Sequence, residues 1–456
     1  MCENEYNFTE KQQMAFDDYV AGKNIFITGP GGCGKSYFIK NVFQHAKESG
    51  KNIKVTSMTG CSAILLNCQA TTIHKWGGFG LAKGEDFEII KRVFKMKRQQ
   101  NYLETDVLII DEVSMMNEKL FDLLDYLCKN IRKTLHKPFG GMQIICSGDF
   151  YQLPPVCIDK NIEIERNFCF QSTRWNQTFD SSYIFDVNFR QSGDPVYYNL
   201  LQEIREGSIS LDSVELLVQC GKKVLDPEDP VKPTMIFPIK KHVDAMNLDH
   251  LSKLTEKRYK YTPIPYHNKT PFPSVDLIHD KKIKAELEYA MKNSMYEETL
   301  EICEGCQVMC ISNIDQENNL VNGSQGVVVG FEYVVDKNKH YPLVKFDKID
   351  APVIVQEHTW YLESNDKYSI QQLPLILSWA ITVHKSQGLS IDKAFIDIGS
   401  HIFECGQTYV ALSRVKSLEG LYLKSINLKK IRAHPKVVEF YKYLRSINYS
   451  RTNLNR

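Results

Sequence analysis

The stretch Asn24-Ile-Phe-Ile-Thr-Gly-Pro-Gly-Gly-Cys-Gly-Lys-Ser36 constrains this chain more than any other. Asn24 to Thr28 read as a short buried strand, and Gly29 to Ser36 fit the pattern G-x-x-x-x-G-K-[ST]. Beyond them Phe38, Ile39, Val42, Phe43 and Ala46 recur at helical spacing up to Gly50. Strand, glycine loop and helix together predict a phosphate cradle. Gly29, Pro30, Gly31, Gly32, Cys33 and Gly34 let successive backbone N–H groups turn inward on an anion that the helix N-terminus also favours. Lys35 is expected at the β- and γ-phosphates of a nucleoside triphosphate, and the Ser36 hydroxyl on magnesium. Cys33 sits among those N–H groups and is either an activated thiol or a shielded, inert one.

A chain of 456 residues is too long for one core and predicts about two to four domains. A net charge of +1 means that any nucleic-acid site is a local patch and not a global field. Thirteen cysteines without a framework point to a reducing compartment. Cys303-Glu-Gly-Cys306 and Cys310 have no second pair at ligand-like distance, so buried thiols on a strand are expected rather than a structural metal. The acidic N-terminus fits neither a signal nor a transit peptide, and the longest apolar run, Leu373 to Val383, is too short to span a bilayer. A soluble intracellular protein without a membrane partner is the expectation.

Along the chain, Thr9 is the expected N-cap of a helix carrying Met14, Ala15, Phe16 and Tyr19. Gln12 on that helix is either solvated or placed beside the loop to read adenine. A second strand, Ile53 to Met58, gives a βαβ unit with parallel strands. Lys91, Arg92, Lys95, Lys97 and Arg98 interleave with Ile89, Ile90, Val93 and Phe94, a solvated amphipathic helix or a phosphate-tracking surface. Val107-Leu-Ile-Ile-Asp111-Glu112 delivers two carboxylates at a strand's C-terminal end, where open α/β sheets bind ligands. Asp111 is expected to hold the metal and Glu112 to orient or deprotonate the attacking water. A strand at Gln143 to Ser147 leads into Gly148-Asp-Phe-Tyr-Gln152-Leu-Pro-Pro155, placing Gln152 within reach of the γ-phosphate. Ser182 to Val187 reads as a further strand before Asn188-Phe-Arg190-Gln191. Taken alone, Arg190 is as well read as a surface salt-bridge partner.

A second α/β unit opens at Pro233 to Phe237, while residues 255–302 are poorly periodic and read as an excursion. Short strands at Gln307 to Ile311, Gly326 to Phe331 and Tyr341 to Phe346 predict a small β-barrel-like insertion. The α/β pattern resumes with one strand over Leu375 to Ile381, which ends in Thr382-Val-His-Lys-Ser-Gln-Gly388. A strand at Ala394 to Ile398 and a helix beginning Tyr409-Val-Ala-Leu-Ser-Arg414 follow.

In order and spacing these motifs resemble a superfamily-one helicase, and Thr-Val-His-Lys-Ser-Gln-Gly-Leu-Ser and Tyr-Val-Ala-Leu-Ser-Arg resemble the petite integration frequency (PIF) family, relatives of RecD. Asn322 to Phe331 is similar to that family's barrel insertion, and the resemblance spans roughly residues 8–425. It implies an α/β fold with two RecA-like P-loop domains and a small SH3-like β-barrel insertion. The corresponding boundaries are 1–190 for the first domain with a small insertion near 76–100, 191–302 and 372–456 for the second, and 303–371 for the barrel. It implies ATP and magnesium as cofactors, with Gln12 reading adenine, Lys35 and Ser36 on phosphate and metal, and Asp111 as the metal-side carboxylate. Glu112 becomes the base, Gln152 the γ-phosphate sensor, and Arg190 and Arg414 arginine fingers, a contact worth several powers of ten in rate. Thr59, His74, Lys75, Trp76, His384 and Lys385 fall in or beside motifs that touch DNA in relatives.

The implied activity is an ATP-dependent 5′-to-3′ DNA helicase, a monomer acting on single-stranded and on forked or tailed duplex DNA in replication, repair, recombination or telomere-type maintenance. The alternatives are a translocase that opens no duplex and a nucleotide-switched DNA-binding protein. Trp76 and Phe79, flanked by glycines, are candidates for a surface meeting the separating bases, with core packing as the alternative. The chain starts just before the first motif and stops soon after the last, which leads to the expectation of a minimal bacterial or viral form.

Overall fold

A computed structural model describes residues 6–454 apart from 67, 80–85, 96–98, 156–166, 227–228, 230, 269, 273, 276–277, 279–282, 285–286, 289–290, 292–295, 316–319, 348, 363–366 and 400. Lys97 and Arg98, named above, lie outside the described residues. The chain divides into one unit of residues 1–208, 404–409 and 431–456 and another of 209–403 and 410–430.

The first unit is built on six parallel strands: β1 (Ile25–Thr28), β2 (Ile53–Ser57), β3 (Thr71–Thr72), β4 (Val107–Asp111), β5 (Gln143–Ser147) and β6 (Ser181–Ile184). They lie in the order β3-β2-β4-β5-β1-β6. Both faces of such a sheet are covered, so its strands are apolar throughout and successive residues enter opposite cores. In β1, Ile25 and Ile27 pack with Phe38, Ile39 and Val42 of helix α2, while Phe26 joins the other face with Leu108, Ile110 and Ile144. Here α1 is Glu10–Val20 and α2 is Lys35–Glu48. Thr9 caps α1 as expected, in a reciprocal box with Gln12: each residue's side-chain oxygen accepts the other's backbone N–H.

The C-terminal helix Pro435–Leu454 lies in this first unit, although residues up to 456 were expected in the second domain. Its Val437, Phe440, Tyr441 and Leu444 are buried in the core beneath β1, β4 and β5. Phe440 stacks on Phe170 with centroids 4.2 Å apart and meets Phe150 edge-on at 5.4 Å. Each fully buried side chain of this size contributes about 1.5–3 kcal/mol, enough to fix where an amphipathic helix docks. Helix Pro195–Glu206 likewise belongs to the first unit, past the boundary expected at 190.

The second unit has a four-stranded parallel sheet, Ala380–Thr382, Thr234–Phe237, Ala394–Ile398 and Leu421–Ile426. Its antiparallel part is larger than expected. A five-stranded sheet joins Val353–Ile354, Lys339–Phe346, Gln325–Val334, Gln307–Cys310 and Leu375–Leu377. The weakly periodic segment after residue 255 also forms strands: Tyr259–Tyr261 pairs with Leu300–Ile302, and Ile264–His267 with Tyr368–Gln372. Short, half-buried edge strands leave little periodicity to read.

The single strand expected over Leu375 to Ile381 is two strands in two sheets. Leu375–Leu377 pairs antiparallel with Gln307–Cys310, and Ala380–Thr382 pairs parallel with Thr234–Phe237. Between them the buried Ser378 carbonyl accepts hydrogen bonds from Thr234 Oγ1 (2.8 Å) and Gln307 Nε2 (3.2 Å). Cys303, Cys306 and Cys310 are buried in this unit's core, with the Sγ atoms of Cys303 and Cys306 3.7 Å apart.

Candidate nucleotide site and nucleic-acid contacts

The parallel register of the first sheet brings the motif residues to one edge. Ser57 is the register partner of Asp111, and Ile27 that of Ser147, so the segments after β1, β4 and β5 leave the sheet together. Glycine 34 caps α2 in the left-handed region with no side-chain bond, leaving the first-turn N–H groups of a fourteen-residue helix directed at the loop. Lys35 Nζ is held over that loop by the carbonyl oxygens of Gly29 (2.7 Å) and Pro30 (2.9 Å). Ser36 is exposed in the first turn. Cys33 is 1 % exposed, with its Sγ 3.5 Å from Lys35 Nζ, which is the shielded alternative.

Gln12 is buried and not solvated. Its Nε2 donates to the Cys33 carbonyl at 3.5 Å while Oε1 stays on the Thr9 amide. Beside it the ring of Phe189, 53 % exposed, lies 3.2 Å from where a Cβ on Gly34 would stand. An exposed aromatic face next to a buried amide can hold a planar base. Sequence reasoning gave Phe189 no role; its place directly before Arg190 was the available signal. Arg190 itself is half-buried, packed so closely on the loop that a side chain at Gly32 (φ +85°) would meet its Cβ at 2.5 Å. Desolvation lowers its guanidinium from the usual value.

Asp111 ends β4 in a buried position, and Glu112 follows at φ +53°, ψ +39°. A non-glycine residue in the left-handed region costs on the order of 1–3 kcal/mol and breaks the strand's alternation, so Glu112 leaves the pleat just past Asp111. Burial pushes the Asp111 carboxyl above the ordinary range, against the pull of the Ser147 hydroxyl, the Glu112 amide and the Lys35 ammonium. Gly148 closes the loop onto this turn: a Cβ there would lie 2.9 Å from the Val113 nitrogen.

The loop after β5 is organised by Asp149, which is fully buried. Its carboxylate accepts from Arg205 Nε (2.9 Å) and Nη2 (2.7 Å), from the Tyr151 N–H (3.2 Å) and from the Tyr441 hydroxyl (3.0 Å). Burial raises its pKa, but the Arg205 charge and hydrogen bonds outweigh burial and hold it below the usual carboxylate value. Gln152 is buried, and its N–H donates to the Asp149 carbonyl at 2.8 Å. Tyr409, another residue without a role in the sequence reading, accepts the Gly31 N–H on its hydroxyl at 2.9 Å.

The residues expected on DNA divide between the units. In the first, Thr59 caps helix Gly60–Leu66 through Ser62, and Thr72 caps Ile73–Gly77 by accepting the Lys75 N–H at 3.3 Å. His74 in that turn is half-buried, and burial lowers its pKa. In the second, Thr382 accepts the Lys385 N–H at 3.0 Å, His384 is exposed, and Lys385 Nζ pairs with Glu297 at 3.0 Å. Both units thus carry a Thr-capped turn with His and Lys at the same offsets.

Trp76 and Phe79 do not form a surface for bases. They are 3 % and 0 % exposed, with Trp76 packed at 4.8 Å on Tyr102 beneath helix Gln99–Glu104. The Trp76 and Gly77 carbonyls are tied to that helix by Asn101 (2.7 Å) and Tyr102 (2.9 Å), so burying the indole completes the core. Arg414, in the second unit, is 2 % exposed, with Nε on the Val410 carbonyl (2.8 Å) and Nη2 on Ser413 Oγ (2.7 Å).

Two parallel-sheet units, the first with a glycine-rich loop between its β1 strand and a helix, define the class of RecA-like P-loop proteins. Within that class the chain belongs to the PIF1-like helicase family. A family model of that description matches residues 7–215, and one described as the DNA helicase Pif1 2B domain matches 290–331. The ATP-dependent DNA helicase PIF1 of Emericella nidulans is 32 % identical over 476 residues, covering 93 % of this chain and 61 % of that relative. The chain spans about three fifths of the length of the curated PIF1 helicases of Emericella nidulans, Candida albicans and Xenopus laevis that it matches. Among solved structures, the Pif1 helicase of Candida albicans is 32 % identical with a TM-score of 0.73, covering 96 % of this chain and 100 % of that one. The Bacteroides Pif1 helicase in complex with ADP-AlF3 and single-stranded DNA is 27 % identical with a TM-score of 0.63, covering 97 % and 98 %. Among the described residues, no helix is long and apolar enough to cross a membrane.

Proposed function

We propose that this chain is an ATP-dependent DNA helicase that translocates 5′-to-3′ on single-stranded DNA and opens tailed or forked duplexes. The observation that supports it best is the convergence of Lys35, Asp111, Glu112 and the Gln152 loop on one edge of one parallel sheet. The Bacteroides relative, solved with a nucleotide analogue and single-stranded DNA, supports the same pair of ligands here.

Magnesium fits the residues present. The hydroxyls of Ser57, at the end of β2, and of Ser114, two residues after Glu112, are buried with no hydrogen-bond partner among the described protein atoms, and the Ser147 hydroxyl lies beside the Asp111 carboxyl, a polar set that a hydrated cation would satisfy. Ser36 and Asp111 would hold the ion, which supplies charge neutralisation at the β- and γ-phosphates. Gln12 and Phe189 would hold the adenine, the loop amides and Lys35 the phosphates. Glu112 would take the proton from the attacking water, with Gln152 aligned on the γ-phosphate. Arg190 and Arg414 would stabilise charge developing on the transferred group.

On the nucleic-acid side, Thr59, His74, Lys75, His384 and Lys385 would contact the backbone. Such contacts are salt-dependent and tolerant of sequence. The test is strand displacement with 5′-tailed, 3′-tailed and blunt duplexes, alongside ATP hydrolysis with and without single-stranded DNA. Hydrolysis stimulated many-fold by single strands and unwinding that requires a 5′ tail are expected. Preferential opening of the 3′-tailed duplex would refute the polarity, and stimulated hydrolysis without opening would leave a translocase.

A further inference from the structure

One buried hydroxyl joins the two loops that would face the γ-phosphate. Tyr441, on the C-terminal helix and 1 % exposed, lies 2.5 Å from Thr28 Oγ1, 3.0 Å from Asp149 Oδ1 and 3.2 Å from the Phe150 nitrogen. A phenol has one proton to donate and lone pairs to accept with. The Asp149 carboxylate, kept ionised by Arg205, can only accept, and the Phe150 amide can only donate. The phenol proton therefore goes to Asp149, and Thr28 donates to the phenol oxygen. No bonding capacity is left over.

The positions of those partners give the hydroxyl its meaning. Thr28 is the last residue of β1, directly before Gly29 of the phosphate loop. Asp149 and Phe150 begin the turn that ends in Gln152. The ring is held independently of the hydroxyl: it stacks on Tyr151 at 4.6 Å and 27°, and the Arg205 guanidinium lies 4.4 Å from the Tyr151 centroid and 5.1 Å from that of Tyr441.

We propose that Tyr441 is a positioning residue for ATP hydrolysis, its hydroxyl setting the spacing between the root of the phosphate loop and the Gln152 turn. This rests on the reading of Gln152 as the γ-phosphate contact. Register errors of about 1 Å at a reacting phosphate are costly, whereas nucleotide affinity depends mainly on loop amides and Lys35, which the hydroxyl does not touch. The hydroxyl thus acts on turnover and not on affinity.

The test uses the full chain with saturating single-stranded DNA. Tyr441→Phe keeps the ring stack and removes only the hydroxyl. Its kcat is expected to fall by about tenfold, the scale of one such interaction in a transition state, with the KM for ATP unchanged. Thr28→Val, which removes the same contact from the other end, should reproduce the split and serves in its place if Tyr441→Phe melts below the assay temperature. Gln152→Ala is measured in parallel, and the double variant Gln152→Ala/Tyr441→Phe should be no slower than Gln152→Ala alone, because both act through one side chain. If Gln152→Ala turns over normally, the Gln152 reading fails and this inference with it. If Gln152→Ala is slow but Tyr441→Phe, or Thr28→Val in its stead, keeps full kcat, or if the two losses multiply, Tyr441 does not position that loop.

Discussion

Replacing Arg205 by methionine leaves the Asp149 carboxylate buried and without its counter-charge. Two hydrogen bonds of 2.9 and 2.7 Å vanish, and so does the guanidinium packed on Tyr151 and Tyr441. Breaking one side of a buried pair costs about 3–5 kcal/mol, and here the Tyr151 N–H and Tyr441 hydroxyl still solvate the carboxylate, so the lower part of that range is expected. Two units do not unfold as one, so the quantity to measure is local. Hydrogen exchange of peptides covering β1 and β5 reads the opening free energy of this core directly. The pH dependence carries a sign. In the parent, the folded-state pKa of Asp149 lies below the ordinary 3.8, so the stability it confers is complete above 3.8 and is lost as the pH falls through the lowered value. In Arg205→Met, the Lys35 charge and the Tyr441 hydroxyl still oppose burial, but burial, the largest influence, now prevails and raises that pKa, so acidification relieves the variant first and the gap narrows as the pH drops toward 4. A destabilisation under about 1 kcal/mol at neutral pH, or a gap that widens on acidification, would refute the reasoning.

Glu112→Gln should bind ATP and single-stranded DNA normally yet hydrolyse about 10²–10⁴-fold more slowly, measured as phosphate release, because an amide takes no proton from water. Trp76→Ala should lower the local opening free energy by about 3–5 kcal/mol, read by hydrogen exchange of peptides covering helix Gln99–Glu104, while the folded protein keeps its affinity for single-stranded DNA; a stable variant with weakened DNA binding would return the indole to the surface role. Under brief maleimide treatment and mass spectrometry, Cys33, 1 % exposed, should be modified after Cys405, which is only partly buried. The reverse order would restore the reactive-thiol alternative.

Local chemistry was legible in the sequence where the signal itself is local. Thr9 before its helix, the Gly29–Ser36 loop and the strand ending at Asp111 each carry cap, glycine or apolar pattern within a few residues, and the structure forms each of them there. Trp76 and Phe79 misled because glycine-flanked aromatics look alike in a core and on a stacking surface; Tyr102, arriving from helix Gln99–Glu104, decides it. Arg205 and Tyr441 have no motif. Their meaning arises from partners 56 and 292 residues away at Asp149, a separation no spacing rule addresses. The apolar run over Leu375 to Ile381 gave no hint of its division, since either sheet buries such residues equally well.

That division has a mechanical consequence. The antiparallel sheet is an insertion by order of sequence, yet it meets the parallel sheet without a linker, because only Ser378 and Trp379 separate a strand of one from a strand of the other. The junction is clamped on both sides: Thr234 and Gln307 hold the Ser378 carbonyl, Gln325 Nε2 reaches Thr234 Oγ1 at 2.7 Å, and Asn247 brackets Ala380 at 2.8 and 3.0 Å. With no slack to absorb displacement, a load on the antiparallel strands is delivered to Thr382 and the His384–Lys385 turn just beyond it, as a rod transmits thrust where a tether would not.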